Sequence, residues 1–179
     1  LLSDEPILCD PQELVDIKIA AEYINQAIAS GVKLAVFGDY DCDGVVATSL
    51  LYDYLVGRGA NVIAYIPDRI DEGYGMNKGA VDKLAAQGVG LIITVDNGIS
   101  CANEIAYADS LGIKTVVTDH HIPPENLPNA VAVVDPHRSD CPSTFKEICG
   151  AEVAFKLVCV LDDKEPEQML SRYADILAV

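Results

Sequence analysis

Positive charge is scarce in this sequence of 179 residues. Lysine and arginine total 12, against 28 aspartates and glutamates, which gives a formal net charge of −16. Because nucleic acids are bound largely through Lys and Arg contacts with phosphates, this composition excludes a chain that holds a nucleic acid by its overall charge. The acidic excess indicates either an ordinary acidic surface or carboxylates that cluster and bind cations.

The sequence also lacks the cysteine spacing of a zinc knuckle or a thioredoxin-like site. None of its six cysteines forms a Cys-x-x-Cys pair, and several lie in apolar stretches, as small buried thiols do. We therefore expect reduced cysteines and a cytoplasmic protein. No basic segment followed by an apolar core marks a signal peptide. No apolar run approaches the roughly 20 residues of a membrane span, so we expect no membrane partner.

Short apolar segments alternate with amphipathic segments along the chain. The apolar segments are rich in Val and Ile and lie too far apart for hairpins, which is typical of βαβ units around a buried parallel sheet. The predicted strands are Leu34–Phe37, Val62–Ile66, Leu91–Val95, Thr115–Val117 and Val131–Val134. The predicted helices are Val45–Val56, Lys78–Ala86, Ala102–Leu111, Glu147–Leu161 and Pro166–Leu177. We therefore predict an α/β fold, a doubly wound, mainly parallel five-stranded sheet with helices on both faces.

One further helix is predicted before the first strand. The Asp-Pro-Gln-Glu stretch at 10–13 supplies a cap, a proline for the first turn and a capping-box acid. Apolar residues then recur at helical spacing until Gly31 ends the helix. We treat residues 1–31 as a helical lead-in and residues 32–179 as the main domain. The sequence begins without Met and stops in the apolar run 176–179, so we expect it to be part of a longer protein.

Acidic residues follow four of the five predicted strands, and two histidines follow the fourth. The acids are Asp39, Asp41, Asp43, Asp96, Asp119 and Asp135. In a parallel sheet the carboxyl ends of the strands meet at the edge where ligands bind. A single Asp there is more often a turn or cap residue, but several converging carboxylates stay ionised together only with cations between them. Carboxylate and imidazole suit Mn²⁺, Mg²⁺ or Zn²⁺, and a pair of such ions is the usual device for hydrolysing phosphate esters.

Two other families share parts of this pattern. The Asp-x-Asp-x-Asp-Gly stretch matches the start of an EF-hand loop, but Leu50 stands where that loop needs Glu, and a strand precedes it. The same stretch resembles the haloacid dehalogenase family, with Asp41 as a phosphate-accepting nucleophile and Asp43 as an acid/base. Thr94 or Thr118 would supply that family's hydroxyl. Because this alternative gives no role to the Asp-His-His stretch, it stays the second choice.

Three motifs taken together resemble the DHH phosphoesterases. They are Asp-x-Asp-x-Asp-Gly at 39–44, Val-Asp-Asn-Gly at 95–98 and Thr-Asp-His-His at 118–121. Each follows a predicted strand, and they occur in the family's order. Further stretches look like the RecJ-type members of this family, and they lie at 66–69, 73–75, 134–136 and 150–156. The sequence departs from that type at Asp135, where Asn is usual, and at Glu152, where Gly is usual.

The resemblance implies a phosphodiesterase that holds two Mn²⁺ or Mg²⁺ ions. The implied metal ligands are Asp39, Asp41, Asp43, Asp96 and His120, with Asp96 as the bridging ligand. Asp119 would orient a neighbouring histidine, and His121 would meet a substrate phosphate, which makes both catalytic residues. The expected substrate-binding residues are Arg69, Gly73, Tyr74, Gly75, Asn97 and Gly98. Arg69 would clamp a phosphate, Tyr74 would stack on a base, and Asn97-Gly98 would open a phosphate-binding helix.

The function implied for a RecJ-type member is hydrolysis of single-stranded DNA from its 5′ end, in DNA repair and recombination. We expect the DNA to be held mainly by the family's C-terminal domain (DHHA1) and other strand-binding domains absent from this chain, and we expect no organic cofactor. Asp175 lies near the place of the family's fourth motif, but the better match would follow Val179, in which case the metal shell of this chain is incomplete. A small-molecule or oligonucleotide phosphoesterase and a non-catalytic scaffold remain alternatives.

Overall fold

The computed structural model describes residues 9–68, 73 and 75–178. Its sheet has five strands in the order β2-β1-β3-β4-β5, and every neighbouring pair is parallel. The strands are β1 (Leu34–Phe37), β2 (Val62–Tyr65), β3 (Leu91–Val95), β4 (Lys114–Thr118) and β5 (Ala132–Val134). The predicted fold class is confirmed, and each strand end differs from its predicted position by no more than one residue.

Six α-helices and one short 3-10 turn, Pro11–Glu13, accompany the sheet in the described part of the chain. The helices are α1 (Ile17–Ala29), α2 (Cys42–Gly57), α3 (Lys78–Ala86), α4 (Ala102–Ser110), α5 (Gly150–Asp162) and α6 (Pro166–Leu177). Two predicted starts are wrong. Helix α2 begins three residues earlier than predicted because Asp41 caps it by accepting the Gly44 N–H. Helix α5 begins at Gly150, not Glu147.

The helix predicted from Asp10 is two separate elements. Asp10 caps the 3-10 turn by accepting the Gln12 N–H at 2.8 Å, but the chain then breaks at Asp16, which has a left-handed φ of 63°. The Asp16 carboxylate accepts the Val133 N–H at 3.2 Å and an Arg138 guanidinium N–H at 2.6 Å. The break therefore lets Asp16 tie the N-terminal segment to the end of β5.

Helices cover both faces of the sheet. On one face α1, α2, α5 and α6 pack over side chains such as Leu34 and Leu91, and on the other α3 and α4 pack over Ala35 and Ile92. All five residues of β3 are buried, which explains why its sequence is continuously apolar. Helix α1 belongs to the same core as α5, and the predicted domain boundary at residue 31 stays a prediction. Among the described residues, no helix is both long enough and apolar enough to span a membrane.

Candidate metal centre

The carboxyl ends of β1, β3 and β4 bring the predicted acids and histidines to one edge of the sheet. Atoms of Asp39, Asp41 and Asp96 that can bind a metal all lie within 4.8 Å of one another. Such atoms of Asp96, His120 and His121 form a second group of the same size. Asp96 belongs to both groups, which is the geometry that a ligand shared by two cations requires.

Asp96 lies at the centre of this pocket in an uncommon backbone conformation. Its φ is 60° and its exposure is 1%; Asp and Asn adopt this left-handed region more readily than other non-glycine residues. Its Oδ1 has no hydrogen-bond partner within the described chain, although Nε2 of His120 lies 3.1 Å from it. Burial raises the pKa of Asp96 to about 6; His120 opposes this rise, and the Asp43 and Asp41 carboxylates add to it.

Asp39 and Asp41 reach the pocket from the loop after β1. Asp39 is 1% exposed, and its Oδ1 has no hydrogen-bond partner among residues that the structure describes. Burial raises the pKa of Asp39, and the neighbouring Asp41 carboxylate raises it further. Asp41 is exposed, and one of its oxygens accepts the Gly44 N–H at 2.9 Å. The pocket thus contains buried carboxylate oxygens of the kind that normally have a partner.

Asp43 lies beside this pocket and also joins two helices. Its two oxygens accept the N–H groups of Gly150 at 2.7 Å and Ala151 at 2.8 Å, which are donors that the start of a helix leaves without intrahelical partners. Its Oδ2 lies 3.5 Å from Nε2 of His120. The carboxylate therefore holds the start of α5 against α2, a role that the sequence did not reveal, and metal binding by Asp43 stays a prediction.

Asp119 organises the two histidines that follow it. Its Oδ1 accepts the N–H groups of His120 at 2.8 Å and His121 at 3.2 Å and lies 2.7 Å from Nδ1 of His121. Its Oδ2 accepts the Ile99 N–H at 2.9 Å. Although burial raises the pKa of Asp119, these contacts outweigh burial and hold it below its usual range. In return, Asp119 raises the pKa of His121 to about 9, so that His121 is cationic at neutral pH.

The Asn97-Gly98 pair is explained by packing. The predicted helix does not begin here, because α4 starts at Ala102. The Asn97 side chain is 1% exposed, and its amide donates to backbone carbonyls at the ends of β1 and β3 at 3.2 and 2.9 Å. Gly98 has a φ of 110°, and a Cβ there would lie 2.5 Å from Oγ1 of Thr94. Substrate binding by this pair stays a prediction.

The remaining predicted site residues are placed only in part. Arg69 and Tyr74 lie outside the described residues. Gly73 and Gly75 have φ values of 77° and 72°, so each has the left-handed backbone that glycine allows. Asp175 is exposed on α6, its carboxylate accepts the N–H of the next residue at 2.9 Å, and it belongs to neither metal-ligand group.

A model of the DHH family, N-terminal domain, matches residues 33–179. The chain belongs to the DHH family. The single-stranded-DNA-specific exonuclease RecJ of Bacillus subtilis is 44% identical over 161 residues, covering 90% of this chain and 20% of that relative. The structure of an exonuclease RecJ bound to manganese superposes with a TM-score of 0.82 and 32% identity, covering 99% of this chain and 43% of that one.

RecJ from Thermus thermophilus in complex with Mn²⁺ superposes on the DHH chain with a TM-score of 0.79 and 30% identity, covering 98% of this chain and 24% of that one. These matches confirm the predicted resemblance and replace the haloacid dehalogenase alternative. The chain spans only about a fifth of the length of its B. subtilis relative.

Gly150, which follows the DHH motifs in sequence, shapes the metal pocket of this DHH chain. A Cβ at this position would lie 2.6 Å from Cβ and 2.7 Å from Oδ1 of Asp96, so only glycine lets α5 approach this closely. The start of α5, where a helix carries partial positive charge, thereby comes next to the buried carboxylates. The sequence placed Gly150 in a family stretch but gave no sign of this contact, because it joins residues far apart in the chain.

Asp135 was not predicted as a site residue, yet it is fully buried at the end of β5 near the DHH histidines. Its Oδ1 accepts the His137 N–H at 2.7 Å, and its Oδ2 has no hydrogen-bond partner within the described part. Burial raises the pKa of Asp135 to about 7, and the Asp119 carboxylate adds to the rise. Its position after a strand, like that of Asp119, was the sequence signal that pointed to it.

Proposed function

We propose that this chain is the metal-binding part of a RecJ-type exonuclease that hydrolyses single-stranded DNA from its 5′ end, in DNA repair and recombination. The observation that carries the proposal is the Asp96 carboxylate, which two adjoining groups of metal-binding side chains share. Support also comes from the similarity to RecJ proteins, which are exonucleases specific for single-stranded DNA. We assign the protein to the cytoplasm and give it no organic cofactor.

The pocket fits two divalent cations, Mn²⁺ or Mg²⁺. The buried oxygens of Asp39 and Asp96 that have no hydrogen-bond partner in the described structure would acquire one, and the raised pKa values of both residues reflect the cost of keeping them ionised without a counter-charge. Asp39, Asp41 and Asp96 would hold one cation, and Asp96 and His120 the other. Carboxylate oxygens with imidazole are suitable ligands for such ions, and a RecJ with a similar fold contains manganese.

When bound, the cations would activate water and neutralise charge on the phosphate. His121 would bind a phosphate oxygen through Nε2, because its Nδ1 faces the Asp119 carboxylate. The Asp119 carboxylate, which raises the pKa of His121 to about 9 in the metal-free protein, favours the cationic ring, and such a ring would stabilise the negative charge that develops during attack. Asp119 fixes the orientation of the ring and stays ionised throughout, because three backbone N–H groups also bind it.

The DNA strand itself would be held mainly by other parts of a longer protein, such as the family's C-terminal domain. The net charge of −16 on this chain repels a polyanion, so attraction between the chain and DNA would depend on the bound cations and on basic surfaces elsewhere. This chain alone is therefore proposed to supply the metal pocket and little of the affinity for DNA.

The test uses the full-length protein that contains this chain and compares its cleavage of end-labelled single-stranded and double-stranded DNA in the presence of Mn²⁺. We expect release of 5′ mononucleotides from the single strand, and we expect Asp96→Asn to lower the rate by at least about a hundredfold, the loss typical when one electrostatic contact to a transition state is removed. Asp163→Asn is the matched control, because Asp163 also has a left-handed φ, 52°, but is exposed outside the pocket.

Turnover of small phosphodiesters without cleavage of DNA would instead favour the small-molecule phosphoesterase. Equal Mn²⁺-dependent rates for the wild type and Asp96→Asn would contradict the metal assignment.

A further inference from the structure

The loop after β5 repeats the arrangement found after β4. Asp135 accepts the N–H of His137 at 2.7 Å, as Asp119 accepts that of His121 at 3.2 Å. In each case the histidine Nδ1 faces the same carboxylate, at 3.8 Å for His137 and at 2.7 Å for His121. Because β4 and β5 are adjacent and parallel, His137 is a second histidine positioned by a buried aspartate at the same edge of the sheet.

A groove of about 540 Å³ lies between these two loops. The residues that directly follow His121 form one wall, beginning with Ile122, and His137 with the residues after it forms the other. Ile122 is 76% exposed, the highest value among large apolar side chains in the described structure. Contiguous exposed apolar surface, unlike a single exposed side chain, marks binding sites, and the same groove wall also contains Pro123, Pro124 and Leu127.

The chemistry of the groove fits a nucleobase better than a phosphate. Ile122, Pro123 and Pro124 give it apolar surfaces, while Glu125 bears negative charge that disfavours a phosphate. Arg138, in the groove wall, is already paired with the carboxylates of Asp16 and Asp140. The Nδ1 of His137 is buried and faces the Asp135 carboxylate, so the other ring nitrogen, Nε2, would provide a polar contact for the edge of a base.

We propose that this groove is a subsite for the nucleobase adjacent to the scissile phosphate, with His137, positioned by Asp135, as its polar contact. The inference rests on the proposed function, because Ile122 in the groove wall directly follows His121, the residue assigned to the phosphate, in the chain. Every base has an apolar flat face that can pack against such a surface, so we expect the subsite to accept different sequences.

The test uses the full-length protein that contains this chain and measures its binding of a fluorescent single-stranded oligonucleotide and of an abasic strand of equal length, by anisotropy with Ca²⁺ in place of Mn²⁺. Ile122→Ala and His137→Ala should each weaken binding of the normal strand by about tenfold, in the range typical for the loss of one base contact. Both should leave binding of the abasic strand as in the wild type. Ile19→Ala is the matched control, because Ile19 is a 50% exposed isoleucine on α1, outside the groove; it should change neither affinity.

An equal loss of affinity for both strands would overturn the proposal, because it would indicate a phosphate contact or a damaged fold. Unchanged affinities of both variants would also overturn it. Ile122 is so exposed that its variant keeps the fold, which thermal unfolding of each variant checks. If the wild type cleaves single strands but the groove variants bind the normal strand as tightly as the wild type does, only the subsite proposal is wrong. If the wild type cleaves no strand with Mn²⁺, the proposed function is wrong. If the wild type binds the normal and the abasic strand equally well, the subsite proposal is wrong.

Discussion

Replacing Asp96 by Asn should stabilise the metal-free protein above neutral pH, although it removes the central metal ligand. The pKa of Asp96 is raised from 3.8 to about 6 in the folded protein, and a shift of roughly two units corresponds to about 3 kcal/mol. The folded state binds the proton of the Asp96 carboxyl more tightly than the unfolded state does. The contribution of this proton to the free energy of unfolding is therefore fully present below pH 3.8, is lost as the pH rises through about 6, and stays absent above it. Asn has the same shape, carries no charge and accepts the left-handed backbone.

Thermal unfolding in EDTA measures this effect. At pH 8 we expect Asp96→Asn to melt higher than the wild type by about 6–12 °C, since 1 kcal/mol corresponds to about 2–4 °C for a domain of this size. The difference should shrink as the pH falls towards 4, and saturating Mn²⁺ should raise the melting temperature of the wild type far more than that of the variant. Asp163→Asn, the exposed left-handed control, should melt like the wild type under all these conditions. A variant that melts below the wild type at pH 8 in EDTA would refute the view that this carboxylate is held ionised at a cost.

Two further predictions concern the neighbours of Asp96. Gly150→Ala should weaken Mn²⁺ binding by about 10–100-fold in calorimetric titrations, because the new Cβ would lie 2.6 Å from Cβ of Asp96. Losses of this size are common when a residue that supports a metal ligand is changed. Gly57→Ala is the control and should bind Mn²⁺ normally, because its Cβ would meet only an arginine nitrogen at 3.5 Å. Asp119→Asn should lower the pKa of His121 from about 9 towards the usual value of about 6.5 in an NMR titration, and an unmoved pKa would show that Asp119 does not hold the histidine cationic.

The sheet could be predicted from the sequence because its signal is local. Buried parallel strands are apolar along their whole length, and β3 shows this at every position. The start of α5 could not be predicted in the same way. Its first N–H groups bind the carboxylate of Asp43, 107 residues away from Gly150, so nothing near Gly150 in the sequence marks the beginning of the helix.

The positions of the candidate site residues could be predicted as far as the order and direction of the strands could. Parallel strands gather their carboxyl ends at one edge, so the convergence of Asp39, Asp96 and His120 followed from the strand order once the strands were placed. The use of each side chain depends on distances across strands and could not be predicted. The buried side chain of Asn97 bonds to the ends of β1 and β3, a packing role that no local pattern in the sequence indicated, and its predicted role in substrate binding stays a prediction.

The acids of the pocket differ in how their oxygens are satisfied, and this difference supports Asp39 and Asp96 as proposed metal ligands. Asp119 and Asp43 are bound by backbone N–H groups, so they are stabilised as anions without a cation and hold the histidines and α5 in place. Asp39 and Asp96 each keep a buried oxygen without a hydrogen bond in the described structure, and burial raises the pKa of both. Cations that bind this second pair would complete the site and relieve its electrostatic cost in the same step, so that metal binding and folding stability are coupled.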